Sequence, residues 1–122
     1  MLINMDKNRQ KQLDEIVTVI KDNIDPVSIY LFGSLASGNF QQDSDIDLLI
    51  VAPSKDRPLE RRLELRKLLI EYDRNLGLDL LVYTPEEYNM LINEPSSFIH
   101  SIAKNGLKLY DKKAAWTLAS IR

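Results

Sequence analysis

"LFGSLASGNFQQDSDIDLLIV", residues 31–51, starts as a strand, breaks at Gly33-Ser34 and resumes as a second strand headed by two aspartates. The run Ile46, Leu48, Leu49 and Ile50 predicts burial on both faces, as in a central parallel strand. Asp45 and Asp47 do not belong there unless they serve a site. Residues two apart on a strand point to one face, with Cα atoms roughly 6.6 Å apart. Two unpaired carboxylates in that arrangement repel, and at least one pKa rises. A divalent cation relieves the repulsion, and hard oxygen ligands suit Mg²⁺ or Mn²⁺. The Gly33-Ser34 turn complements this. A tight turn leaving a strand bares successive backbone N–H groups, and Ser34 at a helix start adds a hydroxyl donor for an anion. Gly33 lets a phosphate approach the main chain, and Gly38 is expected to end the helical turn that follows.

The flanking sequence sets these two strands in a larger domain. Asp6 or Asn8 is expected to cap a helix whose Leu13, Ile16, Val17, Ile20 and Ile24 form one apolar stripe, stopped by Pro26. "VSIYLF" (27–32) and "IDLLIVA" (46–52) are the strands on either side of the turn. After a loop at 53–56, Pro58 opens the helix "PLERRLELRKLLIEYDRNL" (58–76), with Leu65, Leu68, Leu69, Tyr72 and Leu76 inward and Gly77 as its C-terminal cap. Its segment "ERRLELRK" reads as a solvated face with i,i+4 ion pairs. "LDLLVYT" (78–84) is a third strand. Thr84, Pro85 and Glu87 then make a capping box, Glu86 and Glu87 serving the start of a helix that ends before Pro95. A further helix over 97–105 closes at Gly106, "LKLY" (107–110) is a last strand, and "DKKAAWTLASIR" has helical character. The expected class is α/β (α+β): a small mixed β-sheet flanked by helices.

The bulk properties narrow the function. A chain of 122 residues, 44% hydrophobic and 28% charged, suits one globular domain with a real core. A net charge of −2 leaves no basic excess for dedicated nucleic-acid binding. The absence of cysteine excludes disulfides and thiolate metal sites. "MLINMDKNRQ" turns polar too soon for a signal peptide, and no apolar run approaches membrane-spanning length, so a cytoplasmic location and no membrane partner are expected.

Asp79, between Leu78 and Leu80, is a third strand-borne carboxylate. If its strand lies beside 46–52, Asp45, Asp47 and Asp79 converge on a pair of ions about 3.5–4 Å apart. Metal carboxylates beside a phosphate cradle imply phosphoryl or nucleotidyl transfer. A strand-borne Asp often only caps a loop or pairs with an arginine. A response-regulator receiver also gathers acidic residues at strand ends, but the Gly-Ser spacing does not fit it. The lone His100 is expected on a solvated helix position.

"GSLASGNFQQDSDIDLLIV" followed by "LDLLVYTPEEY" resembles the minimal nucleotidyltransferases of the DNA polymerase β-like superfamily. The resemblance runs from Tyr30-Leu31-Phe32-Gly33-Ser34 through Asp45, Asp47 and Asp79 to "GLKLYD". It implies that residues 1–122 form a single minimal nucleotidyltransferase domain. It implies that Gly33 and Ser34 hold the β- and γ-phosphates of an NTP, ATP first among them. Asp45 and Asp47 would bind two Mg²⁺ ions (Mn²⁺ as substitute), and Asp79 would share a metal and act as general base. A nucleoside monophosphate, AMP first among the candidates, would then move to an acceptor hydroxyl with release of pyrophosphate. Minimal members are typically partnered by a separately encoded helical HEPN protein as antitoxin to its toxin, and some adenylylate a tyrosine on it. The alternative is a weakly active or inactive nucleotide-binding antitoxin module that neutralises its partner by binding. One departure stands out. Family members often carry arginine or lysine just after Gly-Ser, whereas this chain has Leu35-Ala36-Ser37. Lys55, Arg57, Arg61, Arg62 or a partner chain would have to supply the countercharge. The apolar tail around Trp116 reads equally as core or as a contact for a second subunit.

Overall fold

The computed structural model describes residues 7–33, 36, 45–74 and 76–113. Five helices and four strands follow one another among them: α1 (Lys7–Ile24), β1 (Ser28–Phe32), β2 (Ile46–Val51), α2 (Pro58–Leu68), α3 (Ile70–Asp73), β3 (Leu78–Tyr83), α4 (Pro85–Ile92), α5 (Phe98–Asn105) and β4 (Leu107–Asp111). The sheet order is β3-β2-β1-β4. β1 runs antiparallel to both β2 and β4, whereas β2 and β3 are parallel, so the sheet is mixed as expected. A parallel pair needs a crossover, and α2 with α3 provides it.

Alternation along the strands divides the core in two. Ile29 and Leu31, Ile46, Leu48 and Ile50, and Leu78, Leu80 and Val82 face Leu13, Ile16 and Ile20 of α1 and Leu65 of α2. Tyr30, Phe32, Leu49 and Val51 face Ile99 and Ile102 of α5, with Tyr88 and Leu91 of α4 at the margin. β2 is therefore buried on both faces except at Asp47, which is half-buried.

Local chemistry explains the boundaries. α1 ends at Ile24, Asp25 adopts φ 47° and Pro26 bars further helix. Asn8 lies inside α1 instead of capping it, because the helix already runs from Lys7. Thr84 Oγ1 accepts from Glu87 N–H while Glu87 Oε1 accepts from Thr84 N–H, the full capping box, with Pro85 in the first turn. Ser97 caps α5, and Gly106 N–H closes it on the Ile102 carbonyl at 2.7 Å.

Three expectations need correction. The helix over 58–76 is not continuous: it breaks at Leu69 (φ −103°, ψ 17°), α3 ends at Asp73, and Gly77 follows a further turn instead of capping. The break leaves Leu68 36% exposed while Leu69 is fully buried, so Leu68 is not an inward position. "ERRLELRK" is not wholly solvated either. Arg61 is buried, donating from Nε to the Asp56 carbonyl, from Nη1 to the Val82 carbonyl, and from both terminal nitrogens to Glu87 at 2.7 and 3.0 Å. The one close pair within that segment is Glu64–Lys67, at i,i+3. His100 is only partly solvated, its Nδ1 2.8 Å from the Ile92 carbonyl, and so ties α5 to α4. Among the described residues no helix is long and apolar enough to cross a membrane. Asp6, Gly38 and Trp116, on which the first cap, the end of the turn and the tail were predicted, lie outside the described residues.

Candidate active site

β1 ends at Phe32, and Gly33 turns the chain away with φ 76°, a left-handed conformation that favours glycine. Phe32 is the cross-strand partner of Asp47, and Asp47 is the partner of Asp79 in the parallel register. Phe32, Asp47 and Asp79 thus form one row on the face that α4 and α5 cover farther along the strands. Neighbouring strands lie about 4.8 Å apart, so Asp47 and Asp79 stand side by side. Asp45 precedes β2 and is exposed, as is Asp79.

Several groups fix the start of this row. Ile46 N–H donates to the Gly77 carbonyl at 2.8 Å, locking the beginnings of β2 and β3 together. Asp73 accepts from Leu78 N–H at 3.3 Å with one oxygen and from Arg66 at 3.1 Å with the other, bracing the residue before Asp79. Neither Asp73 nor Arg66 stood out in the sequence, because a helix-end Asp and a helix-face Arg have no local signature. Gly33 and Gly77 also leave room for a carboxylate to lie over the main chain. A Cβ built on Gly33 would overlap Asp47 Oδ2 and come within 3.0 Å of its Cγ; one on Gly77 would overlap Asp45 Oδ1 and lie 2.6 Å from its Cγ.

The electrostatics carry the mark of three like charges. The Asp47 carboxyl is pushed up to about 6, first by partial burial and then by the charges of Asp79 and Asp45. Chemically the set fits a hard divalent cation, since ionised carboxylates offer only oxygen acceptors. Among the described residues no three His, Cys, Asp or Glu side chains are gathered into a ready-made metal cage. The reason is visible in the glycines: Asp47 leans over Gly33 towards β1, whereas Asp45 leans over Gly77 towards β3.

The countercharges expected from Lys55, Arg57, Arg61 and Arg62 do not reach this end. They follow the far end of β2, and Asp47 to Val51 alone spans roughly 13 Å. Arg61 is in addition consumed by Glu87. Ser34, the predicted hydroxyl donor, lies outside the described residues.

The chain is similar to known proteins in sequence and in fold. The family described as polymerase beta, nucleotidyltransferase matches residues 14–115. Three proteins of Methanocaldococcus jannaschii, all provisionally named protein adenylyltransferases, are similar in sequence. One is 33% identical over 84% of this chain and 99% of its own length. A second is 33% identical over 78% and 88%, and the third 29% identical over 85% and 73%. Among solved structures, a provisionally named nucleotidyltransferase from Sulfolobus solfataricus superposes with a TM-score of 0.60 at 20% identity, covering 84% of this chain and 80% of its own. A chain from a toxin–antitoxin crystal structure with AMP-PNP gives 0.54 at 21% identity, covering 88% and 80%. One from a complex of a tri-AMPylated Shewanella oneidensis HEPN toxin with an MNT antitoxin gives 0.51 at 22%, covering 89% and 77%. At these identities the structural likeness speaks for the fold. With the profile match over most of its length and an α+β sheet of the same kind, the chain belongs to the polymerase β-type nucleotidyltransferase family.

Proposed function

We propose that this nucleotidyltransferase moves AMP from Mg·ATP to a hydroxyl on a separately encoded helical protein of the HEPN type, and that Asp45, Asp47, Asp79, Gly33 and Ser34 are its site. The observation that carries the reading is the register: Asp47 and Asp79 stand adjacent on neighbouring parallel strands, with the Asp47 carboxylate over Gly33. Asp45 and Asp47 would hold two Mg²⁺ ions, with Asp79 sharing one. When bound, the ions neutralise the three carboxylates and the phosphates and lower the pKa of an attacking hydroxyl. The main chain at Gly33, with Ser34, would cradle the β- and γ-phosphates. Asp79, the outermost and exposed member of the row, would take the acceptor's proton. The acceptor oxygen then bonds to the α-phosphorus, the bond to the bridging oxygen breaks, and pyrophosphate leaves. The names of the Methanocaldococcus jannaschii relatives support a protein acceptor, and those of the toxin–antitoxin neighbours support its type.

A second reading, a nucleotide-binding antitoxin module with little turnover, is favoured by one observation. The four cations expected to balance the triphosphate stand at the other end of β2. One experiment separates the two readings: co-expression with the neighbouring open reading frame, then intact-mass analysis with ATP and Mg²⁺. The enzyme reading expects one or more AMP masses on the neighbour, lost with Asp45→Asn or Asp47→Asn. A stable complex without added mass would favour the binding module; neither complex nor mass would refute both.

A further inference from the structure

The row that holds the aspartates does not stop at Asp47. Its next member is Phe32, and Phe98 of α5 meets the Phe32 ring edge-to-face, the centroids 5.5 Å apart at 87°. Between β1 and α5 lies a groove of about 340 Å³, lined by Phe32, Gly33, Phe98, Ser101, Ile102 and Asn105 among others. That volume is at the low end for small-ligand sites. Phe98, Ser101, Ile102 and Asn105 are spaced i, i+3, i+4 and i+7, which sets them along one side of the helix. Ile102 anchors that side in the core, whereas Phe98 is 58% exposed. A large aromatic ring left that open, set perpendicular to a buried Phe32, offers apolar flat surface to something planar.

Resting on the function proposed above, we infer that this groove takes the nucleobase of the NTP, with Phe98 as its stacking platform and Ser101 and Asn105 as the polar groups along its edge. The groove begins at Gly33 itself, where the phosphates would lie. Asp79, the group that would face the acceptor, is at the opposite end of the row, so the acceptor enters from there and the Gly33 side is left to the nucleotide. From Asp47 to the Phe98 ring is on the order of 10 Å, one strand spacing plus the ring separation, which leaves room for a ribose between phosphate and base. Every base has a π-face, so the platform gives affinity, and the carboxamide of Asn105 has the donor and acceptor that an adenine edge matches.

Calorimetry of the full chain with two probes, Mg·ATP and Mg·tripolyphosphate, tests this. Phe98→Ala should weaken Mg·ATP about tenfold, within the range that loss of one base–aromatic stack covers, and leave Mg·tripolyphosphate unchanged. Phe98→Tyr, which keeps the ring, should restore ATP affinity. Phe98 is mostly exposed, so the Ala variant should keep its fold, and circular dichroism checks that it does. Asp47→Asn should weaken both probes, which reads the phosphate and metal end separately. Unchanged ATP affinity in Phe98→Ala, or equal wild-type affinity for the two probes, overturns the nucleobase assignment while leaving the aspartate site standing. Probes that bind equally well to wild type and Asp47→Asn would sink the site itself, and the inference with it.

Discussion

Asp47→Asn should make the metal-free protein more stable, although it removes a residue proposed for the site. In the wild type the Asp47 carboxyl is raised from 3.8 to about 6 by burial and by the charges of Asp79 and Asp45. Between those two values the folded state binds more protons than the unfolded one. Stability is therefore highest below pH 4, falls as pH rises to about 6, and stays lower above it. Taken in full, the shift corresponds to about 3 kcal/mol of destabilisation at pH 8. The carboxylate is only partly buried, so solvent screening reduces this to about 1.5 kcal/mol. Asparagine keeps the shape over Gly33 and removes the charge. For a domain of this size the gain is a rise in Tm of about 5 °C. Differential scanning fluorimetry in EDTA across pH 4 to 8 reads it directly. The variant should melt higher at pH 8, and the gap should close towards pH 4 as wild-type Asp47 becomes neutral. Added Mg²⁺ should raise the wild-type Tm and leave the variant nearly unmoved, since mass action stabilises only the form that binds. A variant no more stable than wild type at pH 8, or a gap independent of pH, would refute the argument that like charges converge on Asp47.

Gly33→Ala should cost about 1–3 kcal/mol in urea unfolding, because a left-handed alanine is strained and its Cβ collides with Asp47; Asp47→Ala in the same chain should recover the collision part and not the strain. Wild-type-like stability in the single variant would mean that the turn is not as described. The Arg61–Glu87 pair gives a second pH dependence of opposite sign. Hydrogen bonds from Arg61 hold the Glu87 carboxyl down at about 2, so its stabilisation is complete above pH 4.5 and is lost as pH falls towards 2. Glu87 is 38% exposed, so after allowance for screening the contribution is about 1–2 kcal/mol. Glu87→Gln should lower Tm at pH 7 by a few degrees and flatten the profile between pH 5 and 2; an unchanged profile would dismiss the pair as a stabilising link.

Signals confined to one element were legible in the sequence, and signals created between elements were not. The strands at 28–32, 46–51 and 78–83 follow from β-rich apolar runs, and the Thr84 box from three residues in fixed order. Asp45 and Asp47 stood out because charge is costly in a run that reads as doubly buried. The break at Leu69 was not readable, since Leu65, Leu69, Tyr72 and Leu76 satisfy one continuous helical stripe and no glycine or proline marks the interruption. Arg61 could not be told from Arg62: both sit in the same polar run, and Glu87, the partner that buries one of them, is 26 positions away. Phe32 and Phe98 were equally silent. An aromatic residue in a strand or a helix reads as core, and the exposure of one ring becomes apparent only when α5 is laid beside the end of β1.

The placement of the aspartates follows from the order of strand directions, not from any one residue. Had β3 followed β2 as a hairpin, its second residue would stand near the far end of β2, roughly 11 Å from Asp47. The α2–α3 crossover brings the chain back so that both strands start at one edge, and second positions pair with each other: Asp47 with Asp79. β1, running the other way, ends where β2 begins, so the turn at Gly33 falls beside the same carboxylates. Parallel pairing thus collects the acids, and antiparallel pairing brings the glycine turn to them. The cost is three like charges at one edge, borne by a sheet whose opposite end is held by the buried Arg61, its bonds to Val82 and Glu87, and the capping box of α4. Charge repulsion where a ligand would relieve it, and satisfied hydrogen bonds where none is needed, is the distribution a binding site at the carboxylate end requires.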